Sequence, residues 1–487
     1  MKNTTQILPG FHLPTLRRKP KTTAQKLAAK LKYFKEHSIC QLGEFFNGFI
    51  PQNILKNNKE GVFSRTTLYS KSNTFWAFFS QILDADNGCS EAVRKIQAHM
   101  ALKSNKIPST STSAYCQARK NLDPNNLKRI LDFTGKSLNN RTDNWNGHRV
   151  IVVDGTGLSM PDTVENQEEF PQQKNQKIGC GFPQARALAC FNLHTGALLS
   201  YELGNKKNHE LILLRKQTDT FEKGDIFLGD KGFCSYFDIN NFKETEVESV
   251  ITQARRKPKT AATACKVLGE NDLLIKWMKP KYNKTSAYSK QQWEEMPDEL
   301  VLRQIKVIVD QPGFRVSSFY IVTTLIDSKI YSSKDIADLY FQRWDVELFF
   351  RDIKTTMGMD ILRCLTPEMV KKEILMHLIV YNCIRLLMLE GAEKTTGTVR
   401  LISFKASVQA LRQWQTILAN YVHNSSEILR LKTLMIIAIA DAEIIQRPNR
   451  KEPRCIKRRP KNYQLLTKPR GEMVETPHRG KKRAKEA

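Results

Sequence analysis

The chain has 487 residues, enough for more than one hydrophobic core. Lysine and arginine outnumber the acids 77 to 49, a formal charge of +28, so the expected partner is a polyanion, nucleic acid before membrane. A hydrophobic fraction of 40% excludes a disordered chain, and the ten cysteines, with no C-x-x-C pair and no histidine clustering, exclude a zinc finger or a disulfide framework. They fit buried thiols in a reducing, cytosolic compartment.

The amino terminus shows no apolar signal core. Its first 35 residues hold Lys2, Arg17, Arg18, Lys19, Lys21, Lys26, Lys30, Lys32 and Lys35 and no acid, which predicts a basic arm turning helical near Thr22. Residues of about 70–140 read as helices. NTFWAFFSQIL has helical apolar spacing, Ser90 can cap EAVRKIQAHMA, Ser111 or Ser113 can cap AYCQARKNL, and Pro124 suits a first helical turn. With Arg94, Lys95, Arg119 and Lys120 these helices fit a helix-turn-helix-like DNA module or a plain bundle equally well.

The texture then changes. HRVIVVDGTGL is a β-branched run that reaches Asp154, and GFPQARALACFNLHTGALLSYELGN reads as two strands around His194, Thr195 and Gly196. Asn208 can cap the helix HELILLRKQTDTF, with His209 and Glu210 in its first turn. GDIFLGDKGF is a strand ending at Asp230. A helix over 236–242 and the strand VESVITQAR follow. This order predicts a mixed sheet with helices on its faces, an α/β fold. Beyond a basic loop, RRKPKT, comes a polar stretch with Trp277 and Trp293. VLRQIKVIVD and FRVSSFYIVTTLI then read as paired strands. Helices return at Ser333. The most apolar stretches, 374–389 and 434–440, are too interrupted or too short to span a bilayer and read as buried helices, so no membrane is expected. The tail from Arg447 carries 15 Lys or Arg against 4 acids, which favours contacts with phosphates.

The chemistry concentrates at three points. Asp154 and Asp230 are each expected at a strand end before a turn, where α/β sheets place function, and glycines follow both. In YFQRWDVELFFRDIKTTMG (340–358), Tyr340, Arg343, Glu347 and Lys354 fall within an arc of about 60° at helical spacing, joined by Arg351. Leu339, Val346, Phe349, Phe350 and Ile353 form the neighbouring apolar arc, while Asp345 and Asp352 point elsewhere and are expected to face solvent. Two aspartates plus Glu347 make a three-carboxylate set whose repulsion calls for a hard divalent cation, Mg2+ or Mn2+. Two such ions about 4 Å apart would support phosphoryl displacement, with Arg343, Lys354 and Tyr340 as the phosphate clamp.

These motifs resemble those of the DDE transposases of bacterial insertion sequences, in particular the subgroup with the pattern Y-x2-R-x3-E-x6-K, matched at every spacing by Tyr340, Arg343, Glu347 and Lys354. VDGTG and GDKGF precede it in the right order, and the likeness extends over most of residues 70–470. The resemblance implies an RNase-H-like mixed sheet flanked by helices, with Asp154, Asp230 and Glu347 as the metal ligands. It implies a division into a basic arm (1–69), a helical DNA-binding region (70–143), a catalytic core (144–255 and 333–395) split by a β-rich insertion (256–332), and a helical carboxy-terminal region with a basic tail (396–487). It further implies nicking at the element ends, a hairpin intermediate and strand transfer into target DNA by a homodimer on paired ends, in the bacterial cytoplasm at the nucleoid. Tyr340, Arg343 and Lys354 are then DNA-binding residues near a flipped end base, and Phe319 or Tyr320 is the candidate for stacking on it. Trp277 and Trp293 are alternatives that read more readily as packing residues. An RNase-H-like nuclease without strand transfer, and a non-catalytic DNA-binding descendant, remain open as rival readings.

Overall fold

The structure is a computed structural model. It describes residues 42–445, apart from short segments at 65–66, 102–106, 140–144, 174–176, 206–207, 253–255, 284–287, 310–317, 396–397, 419–420 and 422–424, together with residues 469 and 472. The basic arm expected before residue 42, and nearly all of the tail from Arg447, lie outside the described residues.

Among the described residues nine strands form one sheet, in the order β3-β2-β1-β4-β5-β9-β8-β7-β6. β1 (Val150–Ser159) lies between β2 (Gln184–Asn192), antiparallel to it, and β4 (Ile226–Gly229), parallel to it. β3 (Leu198–Asn205) completes a hairpin with β2 through the turn at His194, Thr195 and Gly196, as the sequence predicts. β5 (Glu248–Thr252) continues the parallel set. A 3-2-1-4-5 order with only the second strand reversed in the middle of the sheet is the RNase-H-like arrangement. Its central strands are apolar without alternation because both faces are covered: Val150, Ile151, Val152 and Val153 are all fully buried.

The 256–332 stretch extends this same sheet. β9 (Ser318–Thr323) pairs with β5, and β8 (Glu299–Ile308) pairs with β9. β7 (Asp272–Met278) and β6 (Lys266–Gly269) were not expected as strands; they form a hairpin turned at Asn271, which takes a positive φ of 62°. Asn tolerates that left-handed conformation better than most residues, and Gly269-Glu270-Asn271 between apolar runs was the available signal.

Helices cover the sheet. On one face lie α1 (Lys71–Leu83), α2 (Cys89–Ala101), α3 (Ser113–Lys120), α4 (Pro124–Asn139) and the carboxy-terminal helices. On the other lie α5 (Glu210–Arg215) and α6 (Tyr236–Glu244), whose Leu213, Leu214, Tyr236, Ile239 and Phe242 pack with Ile151 and Val153. Three cap assignments shift. α2 begins at Cys89, before Ser90. α3 follows Thr112, whose side chain makes no capping bond. His209 itself caps α5, in place of Asn208, its Nδ1 accepting from the Leu211 N–H.

The basic residues of α2 and α3 divide: Arg94 and Lys120 are exposed, while Lys95 and Arg119 turn inward. Arg119 is buried, donating to the Gln81 side chain and lying 4.2 Å over Phe78, and Lys95 is paired with Asp84. The bundle's axis is α9 (Pro367–Ala392), which contacts α1, α4, α10 (Phe404–Leu418) and α11 (Ser425–Ala440). α9 is long and apolar enough to cross a membrane, but 94% of its most apolar window is buried inside the fold, so it is a core helix. α11 is buried on one side only: Met435 and Ile439 are fully buried while Leu434 and Ile437 are exposed.

Candidate active site

The register of the parallel strands builds the site. Val152 on β1 is level with Leu228 on β4, and Leu228 with Val250 on β5. Side chains alternate between faces, so two residues further on the same face presents Asp154, Asp230 and Thr252 in one row. The expectation that Asp154 ends its strand needs correction. β1 runs on to Ser159, supported by β2 alone, and it is β4 that stops at Gly229. The gap left beyond β4 is what opens Asp154 to a ligand.

Each aspartate is held by its own loop. Asp154 Oδ1 accepts from the Gly155 N–H at 2.8 Å, and Asp230 Oδ1 from the Gly232 N–H at 2.7 Å. Asp230 is thereby the N-cap of a short helical turn, Lys231–Phe233. Burial pushes the Asp154 carboxyl up to about 6, and the neighbouring Asp230 charge adds to the rise; the Gly155 N–H and the Arg343 guanidinium oppose it.

The 333–356 run lies across this row on the face that carries Val152 and Leu228. It is not one uniform helix. α7 (Ser333–Phe341) passes through a 3-10 turn (Gln342–Trp344) into α8 (Asp345–Arg351) and then a π-helical turn (Asp352–Thr356). Such π-helical turns occur often at functional sites. Leu339, Val346, Phe349, Phe350 and Ile353 are all buried, as the apolar arc predicts.

The polar stripe meets the strand ends at both of its own ends. Tyr340 is buried and its hydroxyl bonds Thr252 Oγ1; burial raises its phenol to about 12. Lys354 Nζ donates to Thr156 Oγ1 at 3.1 Å and to the Gly157 carbonyl at 3.0 Å, just past Asp154. Between them, Arg343 is only 8% exposed, its guanidinium 4.9 Å from the Trp344 ring, and its Nε has no hydrogen-bond partner. It is a basic group acting on Asp154. Glu347, midway along the stripe, is exposed. It forms no ion pair with Arg343 or Arg351; Arg351 lies 3.9 Å from Asp352 instead.

Asp345 and Asp352 do not face solvent. Both are 8% exposed, Asp345 paired with Arg400 at 2.6 Å. The 3-10 and π-helical turns change the pitch on either side of α8, and the segment carrying Arg400 folds back over Asp345. Phe319 on β9 lies against Tyr340, ring centroids 5.4 Å apart, and is half-buried. Trp277 is buried beneath Arg256 and the Trp293 Nε1 donates to the Pro280 carbonyl, so both pack within the insertion. Sequence reasoning missed Thr252, whose role follows only from strand register, and Trp344, the aromatic beside the stripe, which is 36% exposed.

The donors facing this gap are carboxylate oxygens, the chemistry that suits a hard divalent cation. Asp154 and Asp230 are the pair that fits one. Among the described residues, no three Asp, Glu, His or Cys side chains converge closely enough to hold a metal, so Glu347 is not gathered with the aspartates here.

Residues 145–383 match the family described as Transposase DDE domain. The chain belongs to the DDE transposases of insertion sequences. The match spans Asp154, Asp230 and the whole 340–358 stripe. Over 402 residues, 81% of this chain and 86% of the relative, the transposase is 26% identical to Transposase InsG for insertion sequence element IS4 of Escherichia coli (strain K12). It is also similar to the piggyBac transposase in a cryo-EM synaptic complex with hairpin DNA, with 12% identity, 87% coverage of each chain and a TM-score of 0.43. As a DDE transposase the protein is a DNA-cleaving, strand-transferring enzyme, and members of the family use divalent metal ions.

Proposed function

We propose that this transposase recognises the terminal inverted repeats of its own element and moves it by a cut-and-paste route through a hairpin intermediate. The observation that carries this reading is the row Asp154–Asp230 lying beneath a stripe that brings Arg343 and Lys354 to the same strand ends. Asp154 and Asp230, with Glu347 brought over them from α8, would be the catalytic carboxylates and would hold two Mg2+ ions, with Mn2+ as a substitute. Such ions would supply Lewis-acid stabilisation of the attacking and leaving oxygens.

The chain's own residues do the rest. Arg343, already buried and short of one partner, takes the phosphate next to the scissile bond, where a charge-assisted contact is strongest. Lys354 gives up its bonds to Thr156 and Gly157 for a second phosphate oxygen. Water attacks the phosphorus at the element end and releases a 3′-OH. That hydroxyl attacks the opposite strand and closes a hairpin, which is reopened before the end joins target DNA. Phe319 and Trp344 both contact Tyr340 and are the candidates for stacking on an end base flipped from the duplex. Two copies bridge paired ends, and the enzyme works where its DNA lies, in the bacterial cytoplasm at the nucleoid. Double-stranded DNA, element end and target, is the partner.

The test uses purified protein and a labelled duplex carrying the element's end, incubated with Mg2+, Mn2+ or EDTA. A metal-dependent nick followed by a hairpin or joined product, absent with Glu347→Gln although that variant still binds the duplex, is the expected result. Nicks alone would mean a nuclease without strand transfer, and tight binding with no metal-dependent product a non-catalytic binder.

A further inference from the structure

We propose that Asn87, between α1 and α2, is a positioning residue for Lys354: it holds the loop that sets where the π-helical turn presents its lysine. The proposal rests on the reading that Lys354 takes a phosphate. The turn (Asp352–Thr356) is closed by the loop that follows it. The N–H groups of Met357, Met359 and Asp360 donate to the carbonyls of Asp352, Ile353 and Lys354, at 3.1, 3.3 and 3.2 Å. The same loop then joins the strand that carries Asp154, where the Leu362 N–H donates to the Ser159 carbonyl at 3.2 Å. The backbone of Lys354 is therefore set by residues 357–362, and from there its Nζ reaches Thr156 and Gly157.

The loop is gripped from the helices packed beside it. Asn87 is buried and takes a positive φ of 52°, which asparagine tolerates better than most residues. Its Nδ2 donates to the Met357 carbonyl at 3.2 Å. Gly358 makes room for it: φ there is 77°, and a Cβ would stand 2.8 Å from Asn87 Nδ2. Asn87 is itself held. Gln81 Nε2 donates to its carbonyl at 2.6 Å, and Gln81 Oε1 accepts from the Tyr115 hydroxyl and from Arg119 at 2.7 and 2.8 Å. The other terminal nitrogen of Arg119 donates to Cys364 Sγ at 3.3 Å, just past the far end of the loop, and the Cys364 N–H donates to the Glu373 carboxylate. Gln81, Tyr115, Arg119 and Glu373 are all buried, so the grip is fixed by packing as well as by hydrogen bonds. A reacting geometry needs such support, since a misplacement of about 1 Å caused far from the chemistry costs about 10²-fold in rate.

Asn87→Gly keeps the left-handed backbone and removes only the amide. With the enzyme in excess over a labelled element-end duplex and Mg2+, it should lower the cleavage rate about tenfold to a hundredfold. Thermal unfolding shows that each variant is folded. A double-mutant cycle with Lys354→Ala separates positioning from general loosening: in the Lys354→Ala background, Asn87→Gly should cost less than about twofold, because the lysine it positions is gone. If the two losses multiply instead, Asn87 only supports the fold and the proposal is overturned. If Asn87→Gly cleaves as the wild type does while Lys354→Ala is impaired, the proposal alone falls. If Lys354→Ala cleaves as the wild type does, the reading of Lys354 falls and the proposal with it. Asn87→Asp, which keeps the shape but sets an oxygen where the Met357 carbonyl needs a donor, should give the same pattern. Should Asn87→Gly fail to fold, Asn87→Asp decides.

Discussion

Two buried arginines on the same side of one sheet have opposite surroundings. Arg303, on β8 in the insertion, is fully buried and closed on every side. Nε and one terminal nitrogen take the Asp272 carboxylate at 2.8 and 2.6 Å, and the other donates to the Tyr331 carbonyl at 2.7 Å. Arg343, over the strand ends, is nearly as buried, yet its Nε has no partner, and it faces an aspartate in an acidic gap. A buried charge whose hydrogen bonds are complete holds structure; one left incomplete is poised for something that arrives. The insertion is therefore a finished extension of the sheet, while the ends of β1 and β4 are unfinished by design.

The largest expected effect comes from breaking the closed pair. Asp272→Ala strands Arg303 without a counter-charge, and removing one partner of a buried pair costs about 3–5 kcal/mol. Denaturant titration should show that loss, far from any strand end. Arg343→Gln should do the reverse. Stability should stay within about 1 kcal/mol of wild type, because few bonds are lost, while the cleavage rate on an element-end duplex falls by about 10²–10³, as when one charge-stabilising donor is removed. If Arg343→Gln unfolds as readily as Asp272→Ala, the two arginines are alike and the contrast is void.

Part of this was legible in the sequence. Strands buried on both faces must be apolar throughout, so HRVIVVDGTGL and GDIFLGDKGF announced themselves, and their acids with them. The stripe from Tyr340 to Lys354 followed from helical spacing, because side chains three, four and seven apart share a face. What stayed hidden depends on pairing between distant segments. That Asp154, Asp230 and Thr252 form one row is a fact of register, and nothing local in VESVIT reveals it. Asp345 and Asp352 read as exposed because a uniform helix was assumed, whereas the run changes pitch twice. Whether Arg119 faced DNA or a bundle stayed open because its partners, Gln81 and Phe78, belong to another helix.

Asp352 gives the smallest effect and the finest test of the contrast, since it is a buried charge between the closed and open kinds. Arg351 sits 3.9 Å away, and Arg385 acts on it from α9, itself with Nε unpartnered. Burial outweighs both arginines and pushes the carboxyl up to about 6. Unfolded, the group titrates near ~3.9. Between those values the folded chain keeps a proton that the unfolded chain has released, so protonation favours folding and this contribution fades as pH rises through about 6. Asp352→Asn holds the side chain neutral at every pH. The stability of the variant relative to wild type should therefore climb from pH 4.5 to pH 7.5, by at most ~3 kcal/mol for a shift of about two pH units. Thermal unfolding across that range measures it. A flat difference would mean that Arg385 and Arg351 satisfy Asp352 as completely as Arg303 satisfies Asp272. The π-helical turn that begins at Asp352 and carries Lys354 toward Asp154 would then belong with the finished half of the molecule.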